Sequence, residues 1–91
     1  MLEAVYTSKF KRDFKLCIKQ GKDMRVLKEI MTILENDEEP SPEYNDHPMR
    51  GQFAGTRECH LEGPHSDWIL IYEKRSQEVI AYIRTGSHAN L

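Results

Sequence analysis

Residues 59–72 read CHLEGPHSDWILIY, a polar prefix with two histidines and an aspartate that runs directly into five consecutive apolar residues. The run WILIY, β-branched or aromatic at Trp68, Ile69, Ile71 and Tyr72, predicts a short central strand covered on both faces. Downstream, residues 78–85 read as a second strand, and Arg75 to Gln77 are few enough for a hairpin turn between the two. Upstream, residues 55–61 supply a third. Before them the period changes. Phe10, Phe14, Cys17 and Ile18 recur along one face of a helix over 8–20, which Thr7 or Ser8 can cap and Gly21 ends. Asp23 is the N-cap of a second helix striped by Met24, Leu27, Met31 and Leu34. Residues 2–6, LEAVY, have the length and composition of a first strand. The expected architecture is α+β: an N-terminal strand, a helix hairpin, then antiparallel strands forming one sheet with the helices on one face.

A chain of 91 residues accommodates one modest core, so residues 1–91 are expected to be a single domain. Cys17 and Cys59 lie outside any C-x-x-C spacing, which argues against a disulfide framework or a zinc ribbon and for buried thiols in a reducing cytoplasm. No leader pattern and no run of eighteen apolar residues occurs, so a cytoplasmic protein without membrane contact is expected. The net charge of −2 is unevenly spread: residues 1–34 carry +4, residues 35–47 carry −6 and residues 48–91 are neutral. The acids fall in ENDEEPSPEYNDH, a proline-containing loop, which leaves a basic surface on the first helix. Charge therefore leaves a nucleic-acid partner open.

Alternation sets His60 and Glu58 opposite Arg57, Cys59 and Leu61 on the third strand. By the same count Arg84 shares a face with Ile80 and Tyr82, and TGSH (85–88) supplies a glycine turn that swings His88 back over the sheet end. His47 precedes Pro48 in the loop, and Asp67 opens the central strand. These groups are expected to converge at one edge of the sheet. Such a set suits cleavage of an RNA phosphodiester by its own 2′-hydroxyl, which needs a base, an acid and fixed positive charge for the phosphate. Histidine serves both proton roles near neutrality, and the arginine fork matches phosphate oxygens.

The motifs DHPMRG (46–51), DWILIY (67–72) and RTGSH (84–88), with KDMRVLKEIMTIL (22–34) in the second helix, resemble the YafQ branch of the RelE-like toxins of bacterial toxin–antitoxin systems over essentially the whole chain. The resemblance implies a small RelE-like fold and an endoribonuclease that needs no cofactor or metal. It would cut messenger RNA in the decoding site of the 70S ribosome, and a cognate antitoxin would neutralise it. It implies catalytic roles for His47, His60, Asp67, Arg84 and His88, with Arg84 on the phosphate. The sequence does not decide which residue is base and which acid; the assignment expected here is His88 as general acid, Asp67 or His47 nearest the 2′-hydroxyl and His60 supporting the developing charge. Trp68 would contact RNA, and Lys9, Lys11, Lys15 and Lys19 would meet ribosomal RNA. LEGPHS (61–66) is longer than the corresponding segment of the members it resembles and adds His65, whose Gly-Pro setting fits an exposed turn.

Two readings from other classes compete. One is a zinc-binding module built from His47, His60, His65, His88 and Cys59; against it, Cys59 and His60 point to opposite faces and no pair has the close spacing of structural zinc sites. The other is a purely protein-binding module without nuclease activity. For Trp68 the plain alternative is a place in the core, and for Arg84 a solvated strand-end charge.

Overall fold

A computed structural model describes all residues 1–91. Strand β1 (Glu3–Tyr6) leads into helices α1 (Ser8–Lys19) and α2 (Met24–Glu35), followed by strands β2 (His47–Pro48), β3 (Arg57–His60), β4 (Trp68–Lys74) and β5 (Val79–Ser87). Short 3₁₀ turns at Pro42–Tyr44, Gly51–Phe53 and His88–Asn90 complete the chain. The five strands form one sheet in the order β1-β5-β4-β3-β2, so the WILIY strand is central, as its apolar run requires. The sheet is mixed, because β1 pairs with β5 in parallel while the other pairs are antiparallel. β2 was not legible as a strand, since two residues are too few for a period.

Local chemistry accounts for the helix ends. Thr7 Oγ1 accepts from Phe10 N at 3.0 Å and donates to Ile83 O at 2.7 Å, which caps α1 and ties it to β5. Asp23 Oδ1 accepts from Arg25 N at 3.1 Å at the start of α2. Gly21, with φ +75°, makes the turn between the helices in a region that side chains disfavour. Phe10 and Cys17 are buried as expected, but Ile18 is 54% exposed. Eight residues past Phe10 the helix has turned about 80° beyond two full turns, which carries Ile18 to the rim.

Strand β4 divides the interior. Trp68, Leu70 and Tyr72 join Phe10, Cys17, Leu27, Ile30 and Tyr82 in the core beneath the helices. Ile69 and Ile71, also buried, point the other way and line a hollow of about 360 Å³ with Met49, Phe53, His88 and Leu91. Trp68 corrects one expectation: it is 2% exposed, and its Nε1 donates to Thr85 Oγ1 at 3.1 Å. Its indole fills the core and offers no surface to a base.

A bulge between β4 and β5 corrects another. Tyr72 pairs with Tyr82 but Ile71 pairs with Arg84, so Ile83 is an extra residue on β5. That residue reverses the alternation and turns Arg84 away from the face of Ile80 and Tyr82. His47, Glu58, Ile71 and Arg84 then stand opposite one another in a single row across β2 to β5; the first three face away from the helices, and Arg84, at the edge where β5 runs beyond β1, reaches round to Asp13 on α1.

Candidate active site

Glu58 is the centre of that row. It lies mid-strand in β3 with its side chain 2% exposed, and three imidazoles surround it. His47 Nε2 is 2.7 Å from Oε2, His60 Nε2 is 3.8 Å from the same oxygen, and His88 Nε2 is 3.3 Å from Oε1. Oε1 accepts no hydrogen bond, so His88 stands near it without the alignment to bond. The His47 and His60 rings are 5.9 Å apart between centroids, and those of His60 and His88 are 6.4 Å apart. The three come from a two-residue edge strand, a strand end and the turn after β5, and only the fold brings them together.

The hydrogen bonds assign the protons. His60 Nδ1 is 2.8 Å from Ser66 O; a carbonyl only accepts, so Nδ1 carries the hydrogen and Nε2 is the basic nitrogen of the neutral ring. His47 Nδ1 is 3.1 Å from Pro48 O while its Nε2 faces the Glu58 carboxylate. Both oxygens are acceptors, so a further proton lies between His47 and Glu58. An ionised carboxylate out of water costs several kcal/mol unless it is paired, and the imidazoles are the partners available to it.

Arg84 is held at the margin of the site. Its Nε and Nη2 donate to the Asp13 carboxylate at 2.6 and 3.1 Å, and Asp13 Oδ2 also accepts from Thr85 N at 3.2 Å. This carboxylate on α1 ties the helix to the stretch of β5 that runs beyond β1. It also holds the guanidinium above its ordinary value, through the hydrogen bond first. Nη1 is left unengaged.

Asp67 sits beside the cluster and touches none of the imidazoles. Its side chain accepts from Ser87 Oγ, and its backbone oxygen accepts from His88 N at 2.7 Å. His65 is exposed in the loop where Gly63 turns with φ +112°. Lys9, Lys11, Lys15 and Lys19 are exposed on α1, on the other side of the sheet from the imidazoles.

Four site residues escaped the sequence reading: Glu58, Asp13, Ser66 and Asp46. Glu58 left a signal in the alternation that set it on the face of His60, and Asp46 in its place at the head of the motif DHPMRG. The hollow under Ile69 and Ile71 adjoins His88, with Arg50 at its wall. A larger hollow of about 740 Å³ lies under the acidic loop, where Asp37, Glu38, Glu39 and Asp46 outnumber Arg57 and Lys74, a net negative lining that disfavours phosphate.

For a metal, the ligand atoms of His47, Glu58 and His60 all lie within 4.8 Å of one another. Cys59 faces the core on the opposite side, as alternation required.

The family model described as "Bacterial toxin of type II toxin-antitoxin system, YafQ" matches residues 2–91. The chain is 44% identical over 87 residues to the mRNA interferase toxin YafQ of Escherichia coli, covering 94% of this chain and 90% of that one. Among solved structures it resembles the toxin in the E. coli DinJ-YafQ toxin–antitoxin complex, with TM-score 0.86, 41% identity and coverage of 99% and 96% of the two chains. It also resembles a metal-bound toxin from Helicobacter pylori, with TM-score 0.88, 36% identity and coverage of 100% and 99%.

Proposed function

Since the chain belongs to the YafQ family of type II toxins and is an mRNA interferase, an endoribonuclease, we propose that it cuts messenger RNA in the decoding site of the 70S ribosome, using the ribose 2′-hydroxyl as nucleophile and no metal. A cognate antitoxin neutralises it, by likeness to the E. coli toxin solved with DinJ. The observation that carries the chemistry is the buried Glu58 carboxylate ringed by three imidazoles.

The ribose 2′-hydroxyl gives its proton to His60 Nε2, and the oxygen attacks the adjacent phosphorus in line. As the bond from phosphorus to the 5′-oxygen breaks, His88, entering as imidazolium, hands its proton to that oxygen. The products are a 2′,3′-cyclic phosphate and a 5′-hydroxyl, and proton exchange with water restores the two histidines. Glu58 stabilises each imidazolium in turn, and Arg84 Nη1 meets the phosphate charge. This moves the base role expected for Asp67 or His47 to His60: Asp67 is engaged with Ser87, and His47 Nε2 with Glu58. The hollow beside His88 receives a neighbouring base. Lys11, Lys15 and Lys19, four residues apart on α1, form with Lys9 a surface for ribosomal RNA.

With a net charge of −2 the chain has little long-range attraction for free RNA, so alignment comes from the ribosome. The test uses ribosomes programmed with a messenger carrying one 2′-deoxy residue just upstream of the cut. We expect no cutting at that bond, a loss of about 10²- to 10⁴-fold in folded His88→Ala, and little cutting of naked messenger. Cleavage that tolerates the deoxy residue would assign the attack to water.

A second reading concerns control of the site by metal. A divalent transition metal in place of the His47–Glu58 proton would take His47, Glu58 and His60 as ligands and remove the base, so it would inhibit. The solved metal-bound relative from H. pylori favours it. Zinc added during cleavage should then lower the rate and a zinc-selective chelator restore it; zinc-stimulated cleavage would oppose the reading.

A further inference from the structure

The aspartate that precedes His47 takes no part in the acid–base scheme, yet it has more side-chain partners than any residue of its loop. Asp46 Oδ1 accepts from Arg57 Nε at 2.6 Å, and Oδ2 accepts from Cys59 Sγ at 3.1 Å and from the Tyr72 hydroxyl. Its side chain is only 11% exposed. The donors come from two strands, β3 and β4, and all lie on one side of the sheet, since Arg57 pairs directly with Tyr72 and Cys59 follows two residues after Arg57. His47, the next residue, points to the other side and meets Glu58. Consecutive residues of one short extended segment thus grip opposite faces of the sheet.

The segment needs such a grip. β2 is two residues long, at the sheet edge, and follows a loop that is rich in acids and proline. Two ladder positions with β3 and the bond from Met49 N to Thr56 O at 2.9 Å are its backbone ties, too few to fix a side chain closely. Burial first, and the Asp46 carboxylate second, push the Cys59 thiol and the Tyr72 hydroxyl well up, so both stay protonated and donate.

We propose that Asp46 is a positioning residue for His47: its carboxylate, anchored by Arg57, Cys59 and Tyr72, sets the register of β2 and so holds the His47 imidazole in proton-sharing distance of Glu58. The proposal rests on the acid–base reading of the Glu58 cluster. Cys59 enters as a hydrogen-bond donor that aims a residue on the opposite face of the sheet.

The experiment measures single-turnover cleavage on programmed ribosomes for Asp46→Ala, Asp46→Asn, Tyr72→Phe, His47→Ala and the double variant Asp46→Ala/His47→Ala, with unfolding midpoints for each. His47 supports the chemistry through the proton it shares with Glu58, and a misplacement of about 1 Å costs about 10²-fold. Asp46→Ala should lose about that much in the cleavage rate at saturating ribosome, with half-saturation little changed. Asp46→Asn, which keeps one acceptor, should lose less, and Tyr72→Phe, which keeps ring volume and removes one donor, should lose a smaller measurable amount. In the His47→Ala background, Asp46→Ala should cost nothing further, and in folded Asp46→Ala the His47 imidazole nitrogen signals should shift while those of His88 stay. If Asp46→Ala does not fold, Asp46→Asn and Tyr72→Phe with the same double-variant comparison decide. A folded Asp46 variant at full activity, or one whose loss adds in full to that of His47→Ala, overturns the proposal. An unimpaired His47→Ala would instead overturn the acid–base reading beneath it.

Discussion

Burying the Glu58 carboxylate costs several kcal/mol, and the three imidazoles offset that cost only by bringing protons to it. Glu58 therefore faces all three imidazoles at once, and in the proposed scheme it stabilises the imidazolium formed at each step. Glu58→Gln keeps the shape and removes the charge, so in the proposed scheme the imidazolium forms of His88 and His60 lose the carboxylate that stabilises them. We expect a cleavage rate about 10²-fold lower, within the range for acid–base groups, with the fold retained, as measured by single-turnover kinetics and circular dichroism. Full activity in Glu58→Gln would remove the carboxylate from the proton network. His60 shows how a neighbour decides a role: Ser66 O fixes which of its nitrogens is basic, and that carbonyl lies in the short segment LEGPHS between β3 and β4.

At the scale of elements, β4 acts as a wall shared by two layers. Its even-numbered residues Trp68, Leu70 and Tyr72 pack under the helices, while Ile69 and Ile71 floor the hollow beside the imidazoles. Trp68 also ties β4 to β5, because Thr85 Oγ1 accepts from its indole and donates to Ile69 O at 2.8 Å. Truncating such a residue costs about 3–5 kcal/mol, a large share of the roughly 5–15 kcal/mol that holds a small domain folded. Trp68→Ala should thus lower the urea midpoint steeply, and Trp68→Phe should lower it less while the folded fraction cleaves normally. A Trp68→Phe protein of unchanged stability that needs more ribosome for half-saturation would put the indole against RNA. β5 works through its irregularities: the extra residue Ile83 turns Arg84 to the row of Glu58, and Gly86, with φ +150°, precedes the turn that returns His88 to it.

The whole molecule carries acid groups that ionise far less readily folded than unfolded. Burial is the first cause that raises Cys17, Cys59, Tyr44, Tyr72 and Tyr82 above their ordinary values of 9.0 for the thiols and 10.0 for the phenols. The unfolded chain releases these protons as pH passes those ordinary values, while the folded chain keeps them. The stabilisation is therefore complete below pH 9.0 and is lost as pH rises further. Urea midpoints should fall steadily from pH 9 to pH 11, and a flat profile would contradict the burial of these groups. No helix is long and apolar enough to cross a membrane, and the charge divides by region, with a basic first helix, a neutral second one and then an acidic loop.

Local periodicity determined much of this protein. The 3.6 spacing of Phe10, Cys17, Leu27 and Leu34 and the solid run at 68–72 specify two helices and a buried central strand, because those signals arise between residues a few positions apart. Thr7, Gly21 and Asp23 mark helix ends for the same reason, and the short motifs around His47, Asp67 and His88 made the family legible. The tertiary structure alone decided that β1 joins β5 in parallel, that two residues at His47 form an edge strand, and that Arg84 turns to the other face. It also decided that Trp68 is core and that Glu58, not one of the recognised motif residues, is the point on which the imidazoles meet. Each of these depends on pairings between residues far apart in the chain, where one extra residue such as Ile83 reverses every face beyond it, and no local pattern records that reversal.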